Sequence, residues 1–391
     1  MASTYLKRDI TSDGNKKIFT FSMWVKRGTL GSEQRLLMGY DAGSGEEFFQ
    51  FNSNDKMKFA SSNGTLYLSD VDSTRVFRDT SAWYHLVLAY DSTQATNTNR
   101  VKLYVNGEQE TLTGTFPAQN NDILFWNTSG DDIDIGGRSK LNNLYFDGSL
   151  AHVHFTDGTA YQASTFGETD STTGIWKPKS SPSVTYGTNG FFLKMDNSGN
   201  MGLDSSGNSN NFTTNGTIIQ NKDTPSNVFA TWNRLDTNSN ATLSNANTTF
   251  ATSSNNSYEP GKCTLGFSAG KYYVEHKLTS TIGYALMMGI HKTSLNGQDQ
   301  TSMDSGRYVY DLGNGTIKST SGGTLQSGLA TLANGDILGI AVDCDNGTID
   351  FYKNGSQVGT TVTNSEISSN EWTFGSQPRL STTVSSNFGN G

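Results

Sequence analysis

Trp83-Tyr-His-Leu-Val-Leu-Ala-Tyr90, followed by Val101-Lys-Leu-Tyr-Val-Asn-Gly107, is the stretch of sequence that decides the fold. The first segment is apolar on both faces, which is typical of a central β-strand. The second runs into Asn106-Gly107, the strongest short hairpin signal because both residues tolerate positive φ. A polar tip over residues 91–100 joins the two segments. The pattern predicts an antiparallel strand pair at the centre of a sheet.

The same order of an apolar strand, a turn and a second strand that leads to Asn-Gly occurs again in the C-terminal half. Asp336-Ile-Leu-Gly-Ile-Ala-Val-Asp343 is a second apolar segment, and Asp345-Asn-Gly347 turns it into Thr348-Ile-Asp-Phe-Tyr352, which leads to Asn354-Gly355. Other short apolar or alternating runs, bounded by Gly, Asn or Asp, precede both pairs. At most one helical turn fits the pattern, over residues 160–166. The sequence therefore predicts an all-β protein of two tandem antiparallel β-sandwich (jelly-roll) domains.

The composition places the boundary between the two domains. A length of 391 residues suits two or three domains. From residue 196 the chain becomes dominated by Asn, Ser, Gly and Thr, with Pro225 near the end of this stretch. We predict a first sandwich over residues 1–200, a linker over 201–227 and a second sandwich over 228–391. Within the linker, Asn211-Phe-Thr213 and Thr217-Ile-Ile219 could add edge strands.

The charge pattern excludes some classes of partner. The formal net charge is −8, and no run of Lys and Arg is longer than a pair. The chain therefore lacks the basic surface that binds nucleic acid or an anionic membrane. No stretch approaches the roughly 18 apolar residues of a membrane helix, so we expect no membrane insertion. Residues 1–10 lack the apolar segment of a secretory signal.

The cysteine content indicates a reducing compartment. Cys263 and Cys344 could pair only with each other, and neither lies in a CxxC motif. Cys344 lies in an apolar strand, which favours a buried free thiol. We expect that the chain is made in a reducing cytoplasm and that its stability does not depend on disulfides.

Several motifs in order make the N-terminal half similar to the laminin-G-like, concanavalin A-like jelly roll. They cover roughly residues 15–200 and are Phe19-Thr-Phe-Ser-Met-Trp-Val-Lys26, the hairpin of residues 83–107, Ile135-Gly-Gly137 and Tyr145-Phe-Asp-Gly-Ser-Leu-Ala-His-Val153. The resemblance implies a sandwich that binds ligands through loops at one rim. This fold, like the fold that the C-terminal half resembles, does not by itself imply catalysis.

The C-terminal half resembles a SPRY domain over about residues 228–391. The likeness is carried by Gly270-Lys-Tyr-Tyr-Val-Glu275, Gly335-Asp-Ile-Leu-Gly-Ile-Ala-Val-Asp343 and residues 346–355, with Trp232 and residues 241–245 resembling the opening strands. The pairing of the two domains, together with the opening Met1-Ala-Ser-Thr-Tyr5, is similar to lectin-like structural proteins of marine tailed bacteriophages. This similarity implies a virion surface protein, made in the host cytoplasm, without saying which part of the particle contains it.

Catalysis is not indicated by the acidic residues or the histidines. A retaining glycosidase needs two carboxylates about 5–5.5 Å apart on one face of the cleft. Glu46 and Glu47 are adjacent and should point to opposite faces. Asp132 and Asp134 share a face, but the Glu-x-Asp-x-x-Glu pattern of the glucanases is absent. No nucleophile elbow accompanies the five histidines, so we predict a protein that is not an enzyme.

Calcium is the metal that the resemblance implies, since laminin-G-like domains often hold one ion at the rim. Asp91, Asp131 and Asp132 follow or precede strands and could converge as hard oxygen ligands. The alternative is that these acidic turn residues only form local hydrogen bonds.

A sugar ligand needs an exposed aromatic ring with polar neighbours. Trp126, followed by Asn127-Thr-Ser-Gly130, is the best loop candidate, and Tyr145 is the second. The alternative for Trp126 is a packing role. Trp24, Trp83 and Trp232 fit core positions better.

Two functions remain open at this point. The chain is either a fibre or receptor-binding component that contacts host surface glycans or proteins, or a capsid or tail decoration protein that mainly contacts other virion proteins. No heptad or collagen-like shaft is present, which favours a compact knob or a decoration. Virion symmetry suggests a homo-oligomer, with a trimer as one arrangement.

Overall fold

The computed structural model describes residues 3–41, 44–253, 257–280, 286–319 and 323–390. The chain divides into two compact units, Met1–Val228 (unit 1) and Phe229–Gly391 (unit 2). The apolar run Ala285-Leu-Met-Met-Gly-Ile290 predicts a strand. Its first residue, Ala285, lies outside the described residues. Within the described residues, no helix has the length and apolar character that crossing a membrane requires.

Unit 1 is a sandwich of two antiparallel sheets. Its strands are β1 Tyr5–Asp9, β2 Ile18–Arg27, β3 Gln34–Asp41, β4 Gly45–Phe51, β5 Lys56–Ser62, β6 Tyr67–Val76, β7 Trp83–Asp91, β8 Val101–Val105, β9 Glu108–Gln109, β10 Leu112–Thr115, β11 Asp132–Ile135, β12 Gly148–Asp157, β13 Gly167–Thr169, β14 Trp176–Pro178, β15 Phe191–Leu193 and β16 Thr213–Asn215. Sheet A has the order β10-β6-β5-β4-β3-β11-β1-β16, and sheet B has the order β15-β12-β2-β7-β8-β9. Strands β13 and β14 form a separate two-stranded sheet. Short 3₁₀ turns cover Asn97–Asn99, Ser139–Leu141 and Ala163–Thr165.

The hairpin that decides the fold lies at the centre of sheet B, as predicted. Strand β7 pairs with β2 on one side and with β8 on the other. Alternate residues of β2 and β7 point into one core shared with sheet A. Phe19, Phe21, Met23 and Val25 all belong to this core, so they share one face of β2. We call the face of each sheet that points away from its core the outer face.

The segment predicted as a linker, residues 201–227, is instead part of unit 1. Thr213–Asn215 forms β16, which pairs with β1 at the edge of sheet A. Phe212 enters the core of the unit. Asp223 accepts from Trp83 Nε1 (2.9 Å) and forms an ion pair with Lys26 (2.7 Å). Residues 217–219 are not a strand.

Unit 2 is a second antiparallel sandwich. Its strands are β17 Trp232–Thr237, β18 Thr242–Ser244, β19 Thr249–Ala251, β20 Gly261–Cys263, β21 Lys271–Leu278, β22 Leu286–Lys292, β23 Arg307–Asp311, β24 Thr316–Ser319, β25 Thr324–Gln326, β26 Ile337–Asp343, β27 Thr348–Lys353, β28 Ser356–Thr363, β29 Trp372–Pro378 and β30 Thr383–Asn387. Sheet C has the order β17-β20-β29-β22-β23-β24-β25, and sheet D has the order β18-β19-β30-β21-β26-β27-β28. Two short helices are α1 Gln300–Asp304 and α2 Ser365–Ser369.

The second hairpin lies near the middle of sheet D, where β26 pairs with β21 and β27. Trp232 and Trp372 fill the core of this unit together with aliphatic residues of both sheets. Cys263 and Cys344 are buried free thiols, as predicted for Cys344 from its apolar context. The predicted fold class, all-β with two tandem antiparallel sandwiches, is confirmed.

One sheet of each unit has its outer face covered by the chain itself. In unit 1, Ala163 and Phe166 pack on outer-face residues of sheet B such as Val87 and Tyr104. In unit 2, α1 lies over sheet C, and Gln377 Nε2 bonds the backbone O of residue 300 (3.3 Å) and Oδ1 of residue 304 (3.1 Å). The outer faces of sheets A and D are therefore the ones to search for a binding surface.

Candidate functional site

Trp126, the aromatic residue predicted to bind sugar, lies in the core of unit 1 instead. Its side chain is 0% exposed, and its ring centroid lies 5.5 Å from that of Phe19 and 5.7 Å from that of Phe59. The cause is Glu47, whose buried carboxylate accepts hydrogen bonds from the backbone N–H groups of residues 124–126 and draws them inward. The prediction that Trp126 lies on an exposed loop is wrong. Its side chain packs in the core, which was the alternative role.

The other two predicted sugar ligands are also turned away from solvent. Asn127 is buried, and its Nδ2 donates to the backbone O of Asn15 (2.8 Å) and to Oδ1 of Asp157 (3.1 Å). Tyr145 is 7% exposed, and its ring stacks on Tyr5 with 6.2 Å between centroids. The predicted trio anchors the loops that contain it and offers no ring face to a sugar.

Two of the three aspartates predicted as calcium ligands, Asp91 and Asp132, have other partners. Asp91 Oδ1 accepts hydrogen bonds within its own turn, from the backbone N (3.1 Å) and the hydroxyl (2.6 Å) of residue 93. Asp132 forms ion pairs with Lys7 (2.9 Å) and Lys140 (3.4 Å). Burial raises the pKa of Asp131, and the nearby acidic residues add to this. In the described part of the chain, no three Asp, Glu, His or Cys side chains come together as a metal site. This donor set does not fit calcium, which takes six to eight oxygens.

A buried serine and histidine in unit 1 are arranged against nucleophilic catalysis. Ser22 Oγ lies 2.9 Å from His85 Nε2, and Trp176 Nε1 donates to His85 Nδ1 at 3.0 Å. Since an indole nitrogen can only donate, Nδ1 accepts, and the ring proton lies on Nε2 and points at the serine. Burial lowers the pKa of His85 to about 3. The imidazole is therefore a donor to Ser22 and not its base.

The adjacent acids Glu46 and Glu47 point to opposite faces of sheet A, as predicted. Glu47 is buried in unit 1, whereas Glu46 pairs with Arg35 (3.4 Å) and Arg138 (3.1 Å) on the outer face. Burial raises the pKa of Glu47, but its backbone hydrogen bonds already give it a structural role.

The outer face of sheet D carries side chains that point to solvent in ordered rows. The strand register places Tyr273 of β21 opposite Ala341 of β26, which lies opposite Asp350 of β27. The row beside it contains Glu275, Gly339 and Tyr352, and the row on the other side contains Lys271, Asp343 and Thr348. Because side chains alternate along a strand, each of these residues faces away from the core.

Tyr273 has the most exposed aromatic ring in these rows. A hydrogen bond at its hydroxyl and the space above Gly339 fix the position of the ring. The side chain is 50% exposed, and its hydroxyl donates to Glu275 Oε1 at 3.0 Å. Desolvation and this hydrogen bond raise the pKa of Tyr273 to about 12, so the hydroxyl stays protonated. A Cβ at Gly339 would lie 2.5 Å from the Tyr273 Oη atom, so the glycine leaves the room that the ring occupies. Tyr352 lies edge-on to it, with 6.5 Å between centroids.

A shallow groove of about 250 Å³ lies beside the Tyr273 ring. Its floor is formed by small side chains such as Ala341, and its polar margin contains Lys271, Asp343 and Asp350. Lys271 and Asp343 form an ion pair (3.1 Å). Asp350 Oδ1 accepts from Gln357 Nε2 at 2.7 Å. An ordered aromatic ring next to carboxylate acceptors is an arrangement that can hold a ring with hydroxyl groups.

Two family models match the chain. The concanavalin A-like lectin/glucanases superfamily model matches residues 2–165, and the SPRY domain model matches residues 254–370. The chain is a tandem of a concanavalin A-like domain and a SPRY domain. Unit 1 contains the first domain and unit 2 contains the SPRY domain, so the groove lies on the SPRY domain. No curated protein matches the chain.

Solved structures similar to this chain include SPRY domains. The SPRY domain of human HERC1 has 15% identity and a TM-score of 0.35, and the match covers 40% of this chain and 98% of that one. The TRIM65 PSpry domain has 16% identity and a TM-score of 0.33, with 41% and 92% covered. A human SPRY domain has 16% identity and a TM-score of 0.30, with 38% and 96% covered.

Sequence reasoning placed the strand that contains Tyr273 but missed its site. The signal was present in the alternation of residues 271–278, where Val274, His276 and Leu278 are buried and Tyr273, directly before Val274, belongs to the opposite face. A second signal was the small residues Gly339 and Ala341 at outer positions of an otherwise apolar strand. What the sequence did not show was that the Tyr273 side chain stays half exposed on this outer face.

Proposed function

We propose that the chain is a non-enzymatic recognition protein that contacts a host surface glycan or protein through the outer face of sheet D. The observation that carries this proposal is Tyr273, whose half-exposed ring is held by Glu275 above Gly339. An aromatic side chain that is fixed before the ligand arrives loses little entropy on binding. The concanavalin A-like and SPRY families are compatible with a binding role.

The acids of the groove support binding more than catalysis. The general acid of a glycosidase needs a raised pKa. Hydrogen bonds from Asn346, with the Lys271 ammonium, lower the pKa of Asp343 to about 2. Asp343 therefore stays a carboxylate at the pH of any host and acts as a hydrogen-bond acceptor.

The virion setting is part of the same proposal and is supported by the sequence resemblance alone. In it, the chain is a fibre or receptor-binding component on the virion surface. A homo-oligomer such as a trimer would present several grooves to one surface and raise a weak single-site affinity through avidity. Contacts with other virion proteins would then be made by other faces of the chain.

Binding to bacterial envelopes tests the recognition role. The purified intact chain is mixed with envelope fragments from a panel of marine bacteria, and the bound fraction is measured by sedimentation. We expect binding to at least one envelope, and we expect Tyr273→Ala to weaken it. Tyr67→Ala is the matched control, because Tyr67 is 52% exposed on unit 1. Equal binding by Tyr273→Ala and the unmodified chain would contradict the proposal.

Antibody labelling of intact particles tests the setting. A receptor-binding component is expected at the tail or at another point of host contact. Labelling spread over the head would support the second candidate, a decoration protein whose role is mainly structural.

A further inference from the structure

The size of the groove limits what can occupy it. Its volume of about 250 Å³ lies below the roughly 300–1,000 Å³ of pockets that enclose drug-sized ligands. The Tyr273 ring and the small side chain of Ala341 form a small apolar platform beside the polar margin. The surrounding positions on the outer face carry polar side chains, such as Thr348 and Gln357. They lack the packed apolar centre that a protein partner would bury.

The charges around the groove select among glycans. Asp343 and Asp350 give two negative charges at its margin, and Lys271 gives one positive charge, so the sum is −1. The ammonium of Lys271 already pairs with Asp343. An acidic sugar would meet two carboxylates and a cation that is already engaged, and like charges repel at these distances.

The same carboxylates can serve a neutral sugar. A carboxylate has about four acceptor positions, and Asp350 uses Oδ1 for Gln357. A hydroxyl that donates to a carboxylate makes a stronger hydrogen bond than one between neutral groups. The apolar face of a pyranose ring can lie on Tyr273 while its hydroxyl groups reach the margin.

We infer that the ligand of this groove is an uncharged glycan. One pyranose ring stacks on Tyr273, and its hydroxyl groups donate to Asp350 and Asp343. This inference rests on the proposed function and adds the chemical class of the ligand. It excludes acidic polysaccharides and proteins as the primary occupants of the groove.

The test uses polysaccharide extracted from an envelope that binds the intact chain. Anion exchange separates it into a neutral and an acidic fraction, and titration calorimetry measures binding to each. We expect the neutral fraction to bind and the acidic fraction not to bind. Tyr273→Ala should weaken binding of the neutral fraction by about tenfold, which is a typical loss for one aromatic contact. Tyr67→Ala should leave it unchanged.

A charge variant tests the reason for the selection. In Asp350→Asn, the side chain keeps one oxygen acceptor but loses its charge. We expect weaker binding of the neutral fraction, by roughly threefold, and measurable binding of the acidic fraction for the first time. Asp350 is partly exposed on the outer face, so the variant should fold.

The outcomes separate this inference from the proposed function. Binding confined to the acidic fraction, or to neither fraction, overturns the neutral-glycan ligand. If envelope binding needs Tyr273 but is abolished by protease and survives periodate oxidation of sugars, the ligand is a protein. In that case the recognition role stands and this inference falls. If envelope binding does not depend on Tyr273, the proposed function itself falls.

Discussion

The outer faces of sheets A and D differ in how their charged side chains lie relative to the aromatic ones. On sheet A, charged side chains lie over the apolar ones: the Arg35 guanidinium lies 3.5 Å from the ring centre of Phe48, which is only 3% exposed. On sheet D, the Tyr273 ring has no such cover and is 50% exposed. Both faces contain aromatic and charged residues, but the Phe48 ring is covered by a guanidinium whereas the Tyr273 ring is half exposed.

The pairing on sheet A continues from strand to strand. Glu46 of β4 bridges Arg35 of β3 and Arg138 beyond β11. Lys58 of β5 then pairs with Asp70 of β6 at 2.5 Å. These charged side chains also lie over apolar ones, as the Arg35 guanidinium lies over Phe48. The comparison teaches that residue type alone does not mark a binding surface; the partner of each polar group has to be known.

The largest expected effect on stability comes from removing the Arg35 side chain, which covers Phe48 on the outer face of sheet A. Arg35→Ala deletes the packing over Phe48 and leaves Gln50, to which Arg35 Nη1 donates, without that donor. Lost packing and an orphaned buried acceptor together should lower the free energy of unfolding by about 3 kcal/mol. Urea denaturation measures it, and hydrogen exchange of strands β3–β5 locates it.

The control for Arg35→Ala is Tyr273→Ala, which should affect binding and not stability. Arg35→Ala should destabilise unit 1 and leave envelope binding as it was, whereas Tyr273→Ala should reduce binding and change stability by less than about 1 kcal/mol. If Arg35→Ala weakened binding as much as Tyr273→Ala does, the two faces would not differ in the way described.

Lowering the pH should separate stability from binding. Burial lowers the pKa of His85, His276 and His291 to about 3 from the ordinary 6.5. The unfolded chain then binds protons first, so the stability that the neutral histidines contribute is present above pH 6.5 and is lost as the pH falls towards 3. The loss is at most about 1.4 kcal/mol per pH unit for each histidine.

The groove should not follow this loss of stability. Asp343, with its pKa of about 2, remains ionised from pH 7 to 4.5. We expect the free energy of unfolding, measured with urea, to fall steadily over this range while the affinity for envelope polysaccharide stays constant. A stability that does not change between pH 7 and 4.5 would show that the buried histidines are not neutral in the folded chain.

Displacing the Tyr273 ring without removing it should have a smaller effect. In Gly339→Ala, the new Cβ would come within 2.5 Å of the Tyr273 Oη atom, so the ring must tilt. We expect affinity for the neutral fraction to fall by roughly three- to tenfold, an energy of about 1 kcal/mol. Gly199→Ala in unit 1 is the matched control, because its Cβ would meet only an ordinary contact at 3.4 Å. Unchanged affinity in Gly339→Ala would mean that the ring orientation does not matter.

Local patterns predicted the strands well, because alternation and turn residues act over short distances. The hairpin β7–β8 was placed from two apolar runs joined by a polar tip, and the hairpin β26–β27 from apolar runs joined by the Asn346-Gly347 turn. Trp126 was misplaced because its neighbours Asn127-Thr-Ser-Gly130 are typical of a loop. The group that draws it inward, the Glu47 carboxylate, is 79 residues away. No local pattern contains that contact.

The segment of residues 201–227 and the groove were missed for a related reason. The polar composition of the segment indicated a linker, but the single side chains Phe212 and Asp223 are enough to fix it to unit 1. For Tyr273, the strand and its face followed from alternation. Its exposure depended on whether another segment covers sheet D, which is a property of the whole fold.

The smallest expected effect on stability comes from removing Lys58, whose ion pairs on sheet A are partly exposed. Lys58 is partly exposed and pairs with Asp70 at 2.5 Å and with Asp72 at 3.8 Å. Exposed ion pairs contribute about 0.2–1 kcal/mol, and salt screens them. Lys58→Ala should therefore lower the free energy of unfolding by less than about 1 kcal/mol, and the difference should shrink in 1 M NaCl. Urea denaturation at low and high salt measures both. A loss as large as that of Arg35→Ala would mean that the ion pairs on the outer face of sheet A act cooperatively. All of these charges together, and not mainly the buried Arg35 guanidinium, would then stabilise the sheet.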